Sequence, residues 1–305
     1  MHKQTHKRAF YTLAGCIAAL ALCVAASLFL LTPAPKAQDV TIPGTRGDIY
    51  VTVQLPGKLA RGEELPLVVL CHGFTGSRSG DGHFAPLAAD LAAQGIATVR
   101  LDFPGCGNSA EPFTAYTLSN MTDDVESAIT YMQQTYGTGR TALVGHSMGD
   151  GWPASTRSAG AASRRWRCGA PPTARACAAS EFLNIDDFSA VEALAAEAER
   201  AQHQHLGLDV SGSLFTEMRD SDPNAALRES ALPTLLTYTG HEGILSDTTQ
   251  AETIAAVESL PDGRVVLEPF AEGNHNYLSE DTATAAALNK ALRETTVAFL
   301  VEYLK

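Results

Sequence analysis

A short apolar run, TALV at residues 141–144, passes without a break into Gly145-His146-Ser147-Met148-Gly149. A G-x-S-x-G turn between a buried strand and a helix is a tight bend that lifts a serine hydroxyl above a sheet edge. Its glycines are needed because neighbouring side chains would clash there. Such a junction calls for a parallel sheet covered on both faces, and the rest of the chain has the material for one. Residues 65–70 (LPLVVL) and 96–101 (IATVRL) are buried-strand runs, and 235–238 (LLTY) and 265–267 (VVL) are two more. Runs of this kind suit strands covered on both faces. Helical patterns fall between them at Phe84–Ala93, which stops at Gly95, and at 122–136, which stops at Gly137. Val125, Ile129 and Met132 share one face of the second. Two further helices are expected at 249–260 and 282–303. Residues 48–55 (DIYVTVQL) alternate, as an early antiparallel strand does. Strands alternating with helices predict an α/β fold with a mostly parallel central sheet and helices on both faces. A helix at 186–201 would form a small cap over the carboxyl edge of the sheet.

The totals narrow the partners. The 305-residue chain carries 22 Lys and Arg against 34 Asp and Glu, a formal net charge of -12. That balance argues against nucleic acid, whose phosphates need clustered cations. Hydrophobic residues make up 45% of the chain, enough for a large core. The six cysteines (Cys16, Cys23, Cys71, Cys106, Cys168 and Cys177) match no metal-site spacing, and a chain this long does not depend on disulfide staples. No metal site and no cofactor are expected.

Residues 1–37 read as a membrane anchor or signal segment with its linker, and 38–305 as the α/β domain. Lys3, Lys7 and Arg8 precede an uncharged stretch from residue 9 to residue 31. A secretory core needs ~7–15 apolar residues and a membrane helix ~20. The stretch fits the second better, its positive flank stays inside, and the remainder is expected outside the cytoplasm. Pro33 to Ala37 reads as a short stiff linker.

Three pieces of chemistry converge on the serine. Ser147 is the candidate nucleophile. His72-Gly73-Phe74-Thr75-Gly76 follows the 65–70 strand. There the backbone N–H of Phe74 can pair with that of Met148 as an oxyanion hole, which leaves the His72 side chain a structural role. An acid and a histidine must then follow in chain order. Glu242 lies just after LLTY and His275 just after VVL. His275 is the candidate base and Glu242 the acid that orients it, with Asp247 as the alternative acid. His241 is less suited as base, since it shares the acid's loop. His83, His203 and His205 read as surface residues.

HGFTG, Asp102-Phe103-Pro104-Gly105-Cys106-Gly107-Asn108-Ser109, GHSMG and the late Glu242 and His275 together resemble an α/β-hydrolase. The first two segments are similar to those of cinnamoyl/feruloyl esterases and of serine-aminopeptidase-like hydrolases. The resemblance spans residues 48–305. It implies hydrolysis of a small carboxylic ester through an acyl-enzyme, or of a peptide by the same triad. It implies no catalytic role for Asp102. The acyl group, the alcohol and the oligomeric state are left open.

One stretch departs from this pattern. Residues 150–180 contain no Leu, Ile, Val, Met, Phe or Tyr, and they hold five arginines and both tryptophans. The nucleophile helix and the next central strand belong here, and neither is well built from such material. Pro153 would remove a helix bond, and buried arginines without partners cost several kcal/mol each, on the order of the usual desolvation penalty. A basic surface insertion would leave both elements missing. A frame shift restores them. Read one base earlier, Trp152-Pro153 (TGG CCN) forces alanine, and the run from Met148 becomes compatible with M-G-G-R-M-A-S-L-Y-A. Arg165 to Gly169 becomes compatible with V-A-L-W, a buried strand. The normal frame returns shortly before Phe182. On this reading the chain is a damaged hydrolase, and it could be inactive.

Overall fold

The computed structural model describes residues 36–57, 64–150, 165–168, 202–205, 207–221, 223–229, 232–244, 247–260 and 264–305. The N-terminal apolar run and the cap helix expected at 186–201 lie outside the described residues. So does most of 150–180. Among the described residues no helix is long and apolar enough to cross a membrane.

The central sheet has eight strands. They are β1 (Ala37–Pro43), β2 (Asp48–Gln54), β3 (Leu65–Cys71), β4 (Ala97–Leu101), β5 (Thr138–Gly145), β6 (Arg165–Cys168), β9 (Thr234–Thr239) and β10 (Val265–Phe270), in the order β1-β2-β4-β3-β5-β6-β9-β10. From β4 to β10 all neighbours run parallel, and β2 is antiparallel to both β1 and β4. A separate hairpin joins β7 (Gln202–His205) to β8 (Leu208–Ser211). β1 is a strand that the sequence pattern did not mark. Its seven residues zip onto β2 from Ala37↔Gln54 to Pro43↔Asp48, and a turn closed by Gly44 N–H to Gly47 O joins them.

Alternation along β3 splits the core in two. Leu67, Val69 and Cys71 face one cluster, with Val99, Leu101 and Phe103. Val68 and Leu70 face the other. The first is covered by α2 (Leu118–Tyr136), whose Met121, Val125, Ala128, Ile129 and Met132 form its buried stripe. The helix starts one turn earlier than its apolar period suggests, because Thr117 caps it by accepting from Asn120 N–H at 3.2 Å. The second cluster is covered by α1 (Phe84–Ala93) and by Phe299, Leu300 and Leu304 of α6 (Thr282–Leu304). A fully buried side chain such as Leu91 contributes about 1.5–3 kcal/mol. Helices α3 (Gly212–Asp220), α4 (Pro223–Glu229) and α5 (Asp247–Glu258) complete the chain order.

Strands β3 and β5 lie side by side at the sheet's centre, and chain order reverses there: β4 lies on one side of β3 and β5 on the other. A crevice at the carboxyl ends of strands on either side of such a reversal is where open α/β sheets place their ligands.

The β1–β2 turn is anchored to α2 by charge. Arg46 bonds Glu111 at 2.9 Å and the buried Asp124 at 2.7 Å. Burial pushes the Asp124 carboxyl up to about 7, against the pull of Arg46. The folded chain therefore holds a proton there that the unfolded chain releases near pH 4. The stability this proton confers is full below that value and is lost as pH rises through about 7. Melting temperatures of the parent and Asp124→Asn, compared from pH 5 to pH 8, should show the parent's relative stability falling with pH. A difference independent of pH would refute the assignment.

Candidate active site

Ser147 sits where β5 ends, at the start of a 3-10 turn (Ser147–Asp150), with φ of 54°. That left-handed backbone is unusual for a residue with a side chain and is strained. The turn survives because its surroundings hold it. His146 N–H donates to Cys71 O at 3.0 Å, and Gly149 N–H donates to His146 O at 2.9 Å. Gly149 packs directly on the end of β3. A Cβ there would lie 2.3 Å from Cys71 O and 2.5 Å from His72 O. Both are backbone atoms, so Gly149→Ala should push the elbow off the strand. A lower melting temperature and a loss of ~10²-fold in kcat are expected, as for a misplacement of about 1 Å. Unchanged kcat would show that the elbow tolerates the shift.

The loop after β3 reaches the serine from the other side. A Cβ on Gly73 would lie 3.3 Å from Ser147 Oγ, which brings the backbone just before Phe74 against the hydroxyl. His72 is structural, as its position suggested. Its Nδ1–H donates to Gly73 O at 2.7 Å, and its Nε2 accepts from Phe103 N–H at 3.1 Å. Burial lowers its pKa and favours that neutral form. Asp102 fastens two loops together. Its carboxylate accepts from Arg78 N–H at 2.7 Å and Asn108 N–H at 2.9 Å, and it pairs with the Arg78 guanidinium. Gly107, with φ of 55°, leaves the space this carboxylate fills.

His275 and Glu242 meet as the sequence suggested. His275 Nδ1–H donates to Glu242 Oε1, and His275 N–H donates to Glu242 O at 3.0 Å. Nε2 is buried and without a partner among the described residues. Asp247, the alternative acid, is exposed in the first turn of α5. Among the described residues no group of three or more metal-binding side chains occurs.

His83 corrects the reading from sequence. It is half-buried, and its Nε2 bonds Asn276 O at 2.8 Å. It directly precedes α1, which turns its ring toward the histidine loop instead of toward water. His146 was also missed as more than motif filler: its Nε2 bonds His275 O at 3.1 Å. No motif marks either residue, because the partner in each case is a backbone carbonyl more than a hundred residues away. The side chains of His203 and His205 lie outside what the structure describes.

A strained serine at a sheet edge, with an acid-held histidine on a later loop, defines the class of hydrolases built on a doubly covered parallel sheet. The profile of the α/β hydrolase family matches residues 68–301, and the chain belongs to that family. Among solved structures it is similar to the esterase domain of a Rhodothermus marinus protein (15% identity, TM-score 0.61, 88% of this chain and 100% of that one). It is also similar to Est1E from Butyrivibrio proteoclasticus (16% identity, TM-score 0.61, 85% and 98%). An esterase from Exiguobacterium antarcticum is a third such structure (20% identity, TM-score 0.57, 87% and 100%). At these identities the likeness concerns the fold. A search of curated proteins finds no match.

Proposed function

We propose that this chain is a serine hydrolase that cleaves carboxylic esters of small molecules through an acyl-enzyme. Ser147 Oγ attacks the ester carbonyl and its proton passes to His275 Nε2. Glu242 holds the ring in the tautomer that can accept it. The tetrahedral oxyanion is met by the backbone N–H groups of Phe74 and Met148, each worth ~10²–10³ in rate. The imidazolium then protonates the leaving alcohol, and water repeats the sequence to release the acid. The observation that carries this reading is the Glu242–His275 pair, with Nε2 buried and unpaired among the described residues. Among the described residues Ser147 makes no hydrogen bond to His275 Nε2, and catalytic bonds of this kind often tighten only when substrate binds. The similar proteins from Rhodothermus marinus and Exiguobacterium antarcticum are esterases, which supports an ester over a peptide. A fluorophosphonate probe, with the adduct mapped by mass spectrometry, tests the nucleophile. A panel of p-nitrophenyl esters beside aminoacyl amides tests the substrate class. No adduct on a folded sample would refute the proposal, and amide turnover without ester turnover would favour peptidase action.

Two further proposals concern the rest of the chain. The apolar stretch at 9–31 anchors or exports the domain, which fractionation of expressing cells would test. Residues 150–180 carry a frame shift. In support, the backbone of Arg165–Cys168 occupies the slot between β5 and β9, where the shifted reading supplies V-A-L-W. Resequencing the source DNA decides it, and the ester panel on a frame-repaired chain measures what the damage costs. An intact gene with these codons in relatives would refute it.

A further inference from the structure

The histidine loop is held by its carbonyls. Four consecutive ones accept hydrogen bonds from other elements. Gly273 O accepts from His241 N–H at 3.2 Å, and Asn274 O from Thr239 Oγ1 at 3.1 Å. His275 O accepts from His146 Nε2–H at 3.1 Å, and Asn276 O from His83 Nε2–H at 2.8 Å. The first two donors come from the end of β9 and the turn after it, which also carries Glu242. The last two are imidazoles from unrelated places in the chain. They hold the carbonyl of the candidate base and that of the residue after it.

His146 adjoins Ser147 in sequence. A bond from its ring to the backbone of His275 therefore ties the serine turn directly to the histidine loop. The two rings are 5.3 Å apart, centre to centre. His83 ties the same loop to the start of α1. Its ring also lies edge-on to Tyr277, which bonds Thr237 of β9 at 2.5 Å. A cavity of about 50 Å³ is bounded by His83 and His146 with Thr237, Phe84 and Leu87, and by Tyr277 at the end of the loop. The directed bonds from the two rings hold the backbone beside it, and so set the reach of Nε2 toward Ser147.

The geometry points to His83 and His146 as positioning residues that clamp the His275 loop and hold the base in register with the serine. The inference rests on the triad reading above. Each ring must carry its proton on Nε2 to donate to a carbonyl. Burial lowers the pKa of His146, in keeping with a neutral ring. Neither residue touches the reacting atoms, so the clamp should act on kcat and spare KM.

The test separates donor from packing. Phenylalanine keeps a ring but loses the donor, and glutamine restores an N–H near the position of Nε2. His146→Phe and His83→Phe should each lower kcat for a p-nitrophenyl ester by ~10–100-fold with KM little changed, the effect of a base displaced by up to 1 Å. His146→Gln and His83→Gln should recover most of that loss. His83 makes no side-chain cap bond to α1, so its replacement removes none. Nitrogen NMR of the histidines should find both rings protonated at Nε2. Full kcat in the Phe variants, Gln variants no better than Phe, or rings unprotonated at Nε2 would each overturn the clamp. Fluorophosphonate labelling of the unaltered chain keeps the two questions apart. No label on Ser147 defeats the triad reading, and the catalytic role of the clamp falls with it. Labelling with active Phe variants defeats the clamp alone.

Discussion

Replacing Ser147 with alanine should lower kcat for ester cleavage by ~10⁵–10⁶-fold and abolish fluorophosphonate labelling. Loss of a triad nucleophile costs about as much as loss of the whole triad, because the three groups act as one unit. A residual acceleration of ~10³–10⁴ over water should persist, since backbone donors and substrate binding remain. KM should change little, as the hydroxyl contributes mainly in the transition state. The variant should not be less stable on account of lost packing, since the substitution removes one oxygen at a partly exposed position. It relaxes no backbone strain either, because alanine at φ of 54° is no easier than serine. Turnover of Ser147→Ala within about tenfold of the parent would exclude an acyl-enzyme on this residue, since no other triad member compensates for a missing nucleophile.

Much of the frame was legible because burial leaves a periodic trace. The run LPLVVL is apolar on both faces because β3 has a core on each side, and the structure puts its alternate residues into the two clusters. The helix at Phe84–Ala93 was bounded correctly by its own spacing and by Gly95. β1 was not legible. It is an edge strand, largely exposed, and its pairing is set by β2 instead of by a hydrophobic run. At the site, the contact between Glu242 and His275 was legible from chain order and from their places after two strands. His83 and His146 were not, since their partners are backbone carbonyls of a distant loop. The Asp102–Arg78 pair was equally invisible, because it joins loops after two different strands. Residues 150–180 are a separate case. Their composition conflicts with the slot that β6 occupies, so local propensity and global fold disagree there. Natural sequences seldom contain such conflicts outside functional sites.

Glu242→Gln should lower kcat by ~10⁴-fold with KM nearly unchanged, the size of loss seen when a triad carboxylate becomes an amide. Two effects combine. The carboxylate accepts the Nδ1–H of His275, which on the proposed mechanism leaves Nε2 to take the serine proton. An amide can turn its NH₂ toward Nδ1, which then accepts; the ring proton moves to Nε2 and the base is blocked. An amide also carries no charge to stabilise the imidazolium that forms as the serine attacks. The backbone bond from His275 N–H to Glu242 O is independent of the side chain, so the loop should stay in place. Nitrogen NMR should therefore show the His275 proton shifted from Nδ1 to Nε2 in a chain whose melting temperature is close to the parent's. Asp247→Asn is the control. Asp247 is exposed at the start of α5, and its loss should change kcat by no more than about threefold, as for a surface charge. If Asp247→Asn instead carries the large loss and Glu242→Gln the small one, the acid of the triad is Asp247, and the loop after β9 must rearrange when substrate binds.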